Sequence, residues 1–196
     1  MLHKIRIIAW VAVGLALIGF AVILLTRPSG NQPASAPTAN YGGPFTLVSS
    51  DGKAFPSTRL AGRPYAIFFG FTHCPDVCPT TLARLVRLRQ QLGRDGDKLQ
   101  LLFVTVDPER DGPAEVGKYA ELFRSPIIGL TGSPAQIERV KKQYGIFSQK
   151  VPADGGNYGV DHTAAVLLFD DQGKYVGRLA PQEADETSLE MLRRII

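Results

Sequence analysis

The chain opens with an unbroken apolar run. Ile5 to Leu25 is a 21-residue stretch whose only charged member is Arg6. As a helix it would cover about 31 Å, enough to cross the hydrocarbon core of a bilayer. Trp10 lies near one end, where an interfacial aromatic is comfortable. Lys4, Arg6 and the terminal amine outnumber Arg27. The positive-inside rule therefore predicts a single-pass inner-membrane anchor, with residues 1–4 cytoplasmic and everything after Arg27 in a periplasm or equivalent extracytoplasmic space. A cleaved signal peptide competes, because Ala34-Ser35-Ala36 has the small-residue pattern. That triplet sits well beyond the apolar run and is followed by Pro37, so the uncleaved anchor is the better reading. Residues 26–40 are rich in Pro, Ser, Ala and Asn and read as a flexible linker.

From residue 41 to 196 the pattern changes to short apolar runs separated by turn residues. Phe45 to Phe55 predicts a hairpin with Asp51-Gly52 at its turn. Tyr65 to Phe71 is dense in aromatic and aliphatic residues and predicts a buried strand. Leu82, Leu85 and Leu92 then recur at helical spacing, with Pro79 suited to the first helical position. Leu99 to Asp107 predicts a second buried strand, and Pro113 to Phe123 a helix. A short strand over Pro126–Leu130 follows, then a helix over Pro134–Tyr144 opening after Ser133. Val151 to Gly159 is glycine-rich and predicts a mobile loop. His162 precedes a strand over Ala164–Phe169. Asp170 to Gly173 turns that strand into Lys174–Arg178, and Asp185–Ile196 predicts a terminal helix. This order describes an α/β domain, a mixed sheet flanked by helices in the thioredoxin-like manner.

Charge narrows the partners. Of 22 basic residues, Lys4, Arg6 and Arg27 flank the apolar segment, which leaves 19 against 18 acidic residues elsewhere. A nearly neutral globular part does not favour nucleic acid.

The candidate chemistry is concentrated in Phe71-Thr72-His73-Cys74-Pro75-Asp76-Val77-Cys78-Pro79, which holds both cysteines of the chain. They fall at the carboxyl end of a predicted strand, where open α/β sheets place their sites, and at a helix N-terminus, which favours a thiolate. A structural disulfide between Cys74 and Cys78 would close a tiny loop and constrain the unfolded chain little. A redox pair is a stronger reading, although thioredoxin-like oxidoreductases usually space their cysteines one residue closer. A soft-metal site is another: two thiolates and one imidazole suit copper, while zinc would want a fourth ligand. Of the three histidines, His3 lies on the cytoplasmic flank. His73 adjoins Cys74 and reads as a half-exposed loop residue. His162, taken alone, reads as structural.

The same residues resemble the Sco/SenC family of membrane-anchored copper proteins. That family carries Cys-Pro-Asp-x-Cys-Pro after a phenylalanine- and threonine-bearing strand end, matching Phe71 to Pro79. It also carries Val-Asp-Pro-x-Arg-Asp, matching Val106-Asp107-Pro108-Glu109-Arg110-Asp111, and Asp-His-Ser/Thr before a late strand, matching Asp161-His162-Thr163. The resemblance covers roughly Phe45 to Ile196 and implies a thioredoxin-like domain binding copper through Cys74, Cys78 and His162. It further implies a role in assembling the binuclear copper centre of cytochrome c oxidase, with subunit II or another copper acceptor as partner. Other copper chaperones or a thioredoxin-like reductant are further implied partners. On this reading a glycine-rich loop before His162 lets the third ligand swing, Asp161 orients that imidazole, and Asp76 and Asp107 shape the site or contact a partner. Their plainer readings are a solvent-facing turn residue for Asp76 and a loop cap for Asp107.

Two functions follow. The first is a membrane-anchored copper metallochaperone, not a catalyst in the ordinary sense. The second is a thiol-disulfide oxidoreductase using Cys74 and Cys78. A peroxide-reducing enzyme on the same scaffold is disfavoured, because its Pro-x-x-x-Thr-x-x-Cys setting is not present.

Overall fold

The computed structural model describes residues 41–153 and 157–196, together with Arg6, Trp10 and residues 13–15. The expected anchor (5–25) and linker (26–40) lie outside the described residues apart from those five. Among the described residues no helix is long and apolar enough to cross a membrane.

Among the described residues of 41–196 there are nine strands and four α-helices. They are β1 (Thr46–Ser49), β2 (Ala54–Pro56), β3 (Tyr65–Gly70), α1 (Val77–Gln91), β4 (Gln100–Thr105), α2 (Pro113–Glu121) and β5 (Ile127–Thr131). After these come α3 (Pro134–Gln143), β6 (Ser148–Pro152), β7 (Tyr158–His162), β8 (Val166–Phe169), β9 (Tyr175–Leu179) and α4 (Asp185–Arg193). Seven strands form one sheet in the order β2-β1-β5-β4-β3-β8-β9, and β6 and β7 form a separate two-stranded ribbon. β3, β4 and β5 run parallel, while β1, β2, β8 and β9 are antiparallel to their neighbours. This is the mixed, helix-flanked, thioredoxin-like sheet that the element order predicts.

The central strands read as continuous apolar runs because both faces are covered. Every residue of β3 is buried. One face carries Phe68 and Phe103, with Phe103 packed on Tyr119 of α2. The other carries Phe69 and Phe169, both packed on Tyr144 after α3. The predicted hairpin turns at Gly52, whose φ of +75° is open to glycine at little cost. Ser133 begins α3 with a full capping box, its hydroxyl accepting from the Gln136 amide while the Gln136 side chain accepts from the Ser133 amide.

Two expectations need correction. The first helix begins at Val77, so Pro79 stands third in it and Cys74 lies in the loop before it. The predicted mobile loop over 151–159 is in its described parts the arms of the β6–β7 ribbon, with Val151 paired to Gly159 and Pro152 to Tyr158. Apolar alternation is too sparse in Ser148-Gln149-Lys150-Val151-Pro152 to announce a strand, and the burial of β6 is shallow throughout.

α4 is tied beside α1 by Arg84, which donates to Asp185, Ser188 and the carbonyls of Ala180 and Glu183. Arg87 reaches the second Asp185 oxygen at 2.9 Å. Hydrogen bonds from Arg84 first, then Arg87, hold the Asp185 carboxyl below its ordinary value of 3.8. A depressed carboxylate contributes stability that is present above the unfolded pKa and is lost as pH falls through the folded one. Asp185→Asn is therefore expected to lower the urea midpoint at neutral pH. The gap from wild type should close once the pH drops below 3.8, which denaturation curves at stepped pH will show.

Candidate metal centre

Three segments converge at the carboxyl end of β3. The chain leaves the strand at Gly70, runs through Phe71-Thr72-His73 and presents Cys74 from the loop. It then enters α1 and presents Cys78 from the opening turn. β7 ends on His162 and brings the imidazole in from a point 84 residues further along. One ligand atom from each of Cys74, Cys78 and His162 lies within 4.8 Å of the other two. Among the described residues this is the one His/Cys/Asp/Glu group with metal-binding geometry. Both cysteines are free thiols.

Each ligand has its own support. The Cys78 amide donates to the Cys74 sulfur at 3.4 Å, so the sulfur takes the place a capping oxygen holds at α3. Asp76, at the N-cap position, makes no side-chain cap and instead accepts from the Thr80 hydroxyl on the exposed side. Cys78 is fully buried, and its sulfur fits against the sheet only because residue 70 is glycine. A Cβ there would stand 2.8 Å from Cys78 Sγ and 3.1 Å from the Phe103 ring.

His162 is oriented by a backbone carbonyl, not by Asp161. Its Nδ1 lies 3.1 Å from the Thr163 oxygen, which only accepts, so Nδ1 carries the proton and Nε2 keeps its lone pair. That Nε2 faces Cys78 Sγ at 3.4 Å. Asp161 is exposed, because alternate residues of β7 face opposite sides. Phe68 and Phe71 pack edge-on around the imidazole at 6.0 and 5.9 Å. Burial pushes the His162 pKa down, with the Thr163 bond and the more distant Asp161 charge opposing, so the ring is neutral at ordinary pH.

The thiolate expected at the helix N-terminus is not what the geometry favours at Cys78. Burial pushes that thiol well above its usual pKa; a backbone contact to Phe71 opposes it, while Cys74 and Asp111 reinforce it. Desolvation outweighs the helix dipole. To serve as a metal ligand, Cys78 would have to give up its proton, with the cation supplying the counter-charge.

The residues that hold this arrangement lie in the turn after β4, and sequence reading names only Asp107 among them. Asp111 is completely buried and accepts from the Thr72 amide at 2.9 Å, the Thr72 hydroxyl at 2.6 Å and the Thr105 hydroxyl at 2.7 Å. His73 Nδ1 stands 3.5 Å from the same carboxylate, about half exposed, as a loop residue, and is not part of the Cys74, Cys78 and His162 group. Asp107, 1% exposed, accepts from the Tyr158 hydroxyl and from Arg110. It acts in positioning and makes no contact with the sulfurs. A signal for Asp111, Arg110 and Thr72 was present in the motif match, but nothing in composition or periodicity separates them from ordinary turn residues.

A SCO1/SenC family model matches residues 33–196. The chain belongs to that family. Among SCO1/SenC relatives, an SCO2-like protein of Rickettsia conorii is 32% identical over 184 residues, covering 90% of each chain. A structure of Bradyrhizobium japonicum ScoI with copper bound shares 41% identity at a TM-score of 0.73, covering 80% of this chain and 99% of that one. A structure of BsSco, described as a Sco family cytochrome c oxidase assembly protein with a disulfide switch, shares 25% identity. Its TM-score is 0.62, and the match covers 79% of this chain and 92% of that one.

The unequal exposure of the two sulfurs has a chemical consequence. In the reduced, metal-free protein, iodoacetamide is expected to modify the half-buried Cys74 and to spare Cys78. Cys78 should lag by more than about tenfold near neutral pH, since the thiolate is the nucleophile and this thiol keeps its proton. Mass spectrometry of timed peptide digests reads both rates; equal labelling would contradict the burial-driven shift.

Proposed function

We propose that this chain is a membrane-anchored copper metallochaperone that carries the ion on Cys74, Cys78 and His162 for assembly of the binuclear copper centre of cytochrome c oxidase. The observation that carries the reading is the convergence of two free thiols and one Nε2 lone pair within 4.8 Å. Two sulfurs and an imidazole are a soft set suited to Cu(I) and tolerant of Cu(II). The ScoI relative with copper bound and the family's description as oxidase assembly proteins support the same choice.

The residues divide the work. Thr163 holds His162 in the tautomer that leaves Nε2 available. Asp111 sets the loop that presents Cys74, and Gly70 leaves room for the Cys78 sulfur. Three ligands leave a coordination position open, through which an acceptor thiolate enters while Cys74, the more exposed sulfur, departs. Residues 5–25 anchor the domain at the inner membrane and residues 26–40 tether it, with residues 41–196 in the periplasm facing subunit II or another acceptor. The asymmetry of Lys4 and Arg6 against Arg27 supports that orientation.

A thiol-disulfide oxidoreductase role is the second reading, favoured by the same free pair and by the disulfide switch ascribed to BsSco. In it, Cys74 and Cys78 close a disulfide as they reduce the cysteines of an acceptor. Copper and disulfide exclude one another at this site, because ligation requires both thiols reduced.

Competition titration of the reduced protein with Cu(I), beside His162→Ala, separates the two. One copper per chain, weakened about tenfold or more in the variant, is expected. Identical binding by the two proteins would sink the three-ligand site and leave dithiol exchange. The same titrations at about pH 6, 7 and 8 are expected to show affinity climbing with pH, about tenfold per unit for each thiol proton displaced. The raised Cys78 pKa sets that sign, and burial, which lowers the His162 pKa, reduces that ring's share of the slope.

A further inference from the structure

The ribbon that carries His162 is not part of the main sheet. β6 and β7 pair only with each other. A lone two-stranded ribbon is marginal in water, so its pose depends on contacts to the rest of the domain. Its inward face is Tyr158, Val160 and His162; Gly159 and Asp161 face the other way. A slip of one residue would carry Asp161 to the thiols and turn His162 outward. Something must hold the register.

Val160 supplies an apolar seat in the core, and the directional, polar contacts that pin the register gather on one side chain. The Arg110 guanidinium lies over the Tyr158 ring, 3.7 Å from its centroid. Its Nη1 donates to the Tyr158 carbonyl at 3.0 Å and to Asn157 Oδ1 at 3.3 Å. Its Nε donates to Asp107, whose carboxylate also accepts from the Tyr158 hydroxyl at 2.9 Å. Ring face, backbone and phenol of one strand residue are thus all captured from the turn after β4. On the opposite side the guanidinium reaches Phe71, 5.8 Å from its centroid, and Phe71 is the ring set edge-on to His162. Lys150 and Glu109 add an exposed ion pair between the same two segments, which is worth little by itself.

We propose that Arg110 is a positioning residue for the third ligand: gripping Tyr158 four residues upstream, it fixes the register and pose of β7 so that His162 Nε2 meets the two thiols. It touches neither sulfur nor imidazole and acts only through His162. The inference rests on the three-ligand copper site proposed above. It predicts a specific coupling, since a residue that works through His162 has nothing left to contribute once the imidazole is gone.

The test is a double-mutant cycle on the full chain, reduced, with Cu(I) against bicinchoninate as competing chelator. Wild type, Arg110→Met, His162→Ala and the double variant are titrated, and each is loaded with Cu(II) for its electron paramagnetic resonance spectrum. Arg110→Met is expected to weaken Cu(I) binding about tenfold or more, as loss of a ligand-orienting partner does. The double variant should bind no more weakly than His162→Ala, and the Cu(II) spectrum of Arg110→Met should match that of His162→Ala. If Arg110→Met does not fold by circular dichroism, Arg110→Lys replaces it. Lysine keeps the charge and much of the stem but loses the fork that grips carbonyl and carboxylate together. Wild-type affinity and spectrum in the Arg110 variant would overturn this inference alone. So would a penalty that persists in full beside His162→Ala, which marks a general structural role. Wild type indifferent to His162→Ala would overturn the copper site and the inference with it.

Discussion

Everything at the candidate site depends on the turn between β4 and α2. The candidate ligands come from the loop and opening helical turn after β3 and from a strand that ends 84 residues beyond Cys78. That strand belongs to a ribbon outside the main sheet. The turn supplies one buried carboxylate to each segment. Asp111 accepts from the amide and hydroxyl of Thr72, two residues before Cys74, and Asp107 accepts from Tyr158, four residues before His162. Burying two carboxylates is costly unless their lone pairs are filled, and here they are. Asp111 takes three donors, and Asp107 takes a phenol and a guanidinium. Deleting the Asp111 carboxylate would strand the Thr72 and Thr105 donors in the interior, at a cost of about 3 kcal/mol. The turn is itself tied to β3, since the Val106 amide donates to the Gly70 carbonyl at 2.7 Å.

That arrangement also sets the electrostatics. A buried carboxylate beside a buried thiol opposes ionisation of the thiol, and Asp111 reinforces the desolvation that already holds the Cys78 proton. The neutral, partly buried imidazole adds no cation to counter it. Without an ion, Cys78 and His162 are therefore neutral groups in an apolar frame of Phe68, Phe71 and Phe103. The frame discriminates by what it lacks. A soft cation that takes sulfur supplies the missing positive charge, whereas a strongly hydrated one would have to surrender water for too few oxygen donors.

Much of this was legible in the chain. The apolar density of Tyr65–Gly70 and Gln100–Thr105 marks buried parallel strands, and the positions of Cys74 and Cys78 after the first of them place the site. Asp51-Gly52 and Ser133 announce a turn and a helix start by local chemistry alone, and both are found as written. Residue type also narrowed the candidate ligands, since two thiols suit a soft metal with an imidazole and residues 41–196 offer only His73 and His162. Preferring His162 required the family resemblance, because adjacency in sequence favours His73. The structure gives the physical reason. Asp111 and the Thr72 hydroxyl engage the His73 Nδ1, and the ring is not part of the Cys74, Cys78 and His162 group.

The β6–β7 ribbon was the part that could not be read, and the reason is energetic. A strand announces itself when its own side chains bury against a sheet, which writes a period of two into the sequence. β6 buries almost nothing, and its residues are polar or half-exposed because solvent is their neighbour. Its stability comes from outside, through a phenol, a carbonyl and a guanidinium whose partners lie some fifty residues away. Window-based reading has no access to such a term. The polar grip from the turn after β4 centres on Tyr158, while Val160 is the one ribbon side chain sunk in the core and Ser148 pairs with His162 at the end. Apart from Val160, the pose of His162 rests on polar contacts to Tyr158, Asn157 and Lys150 and on the Phe147–Thr163 backbone bond, which can be weakened without emptying the core.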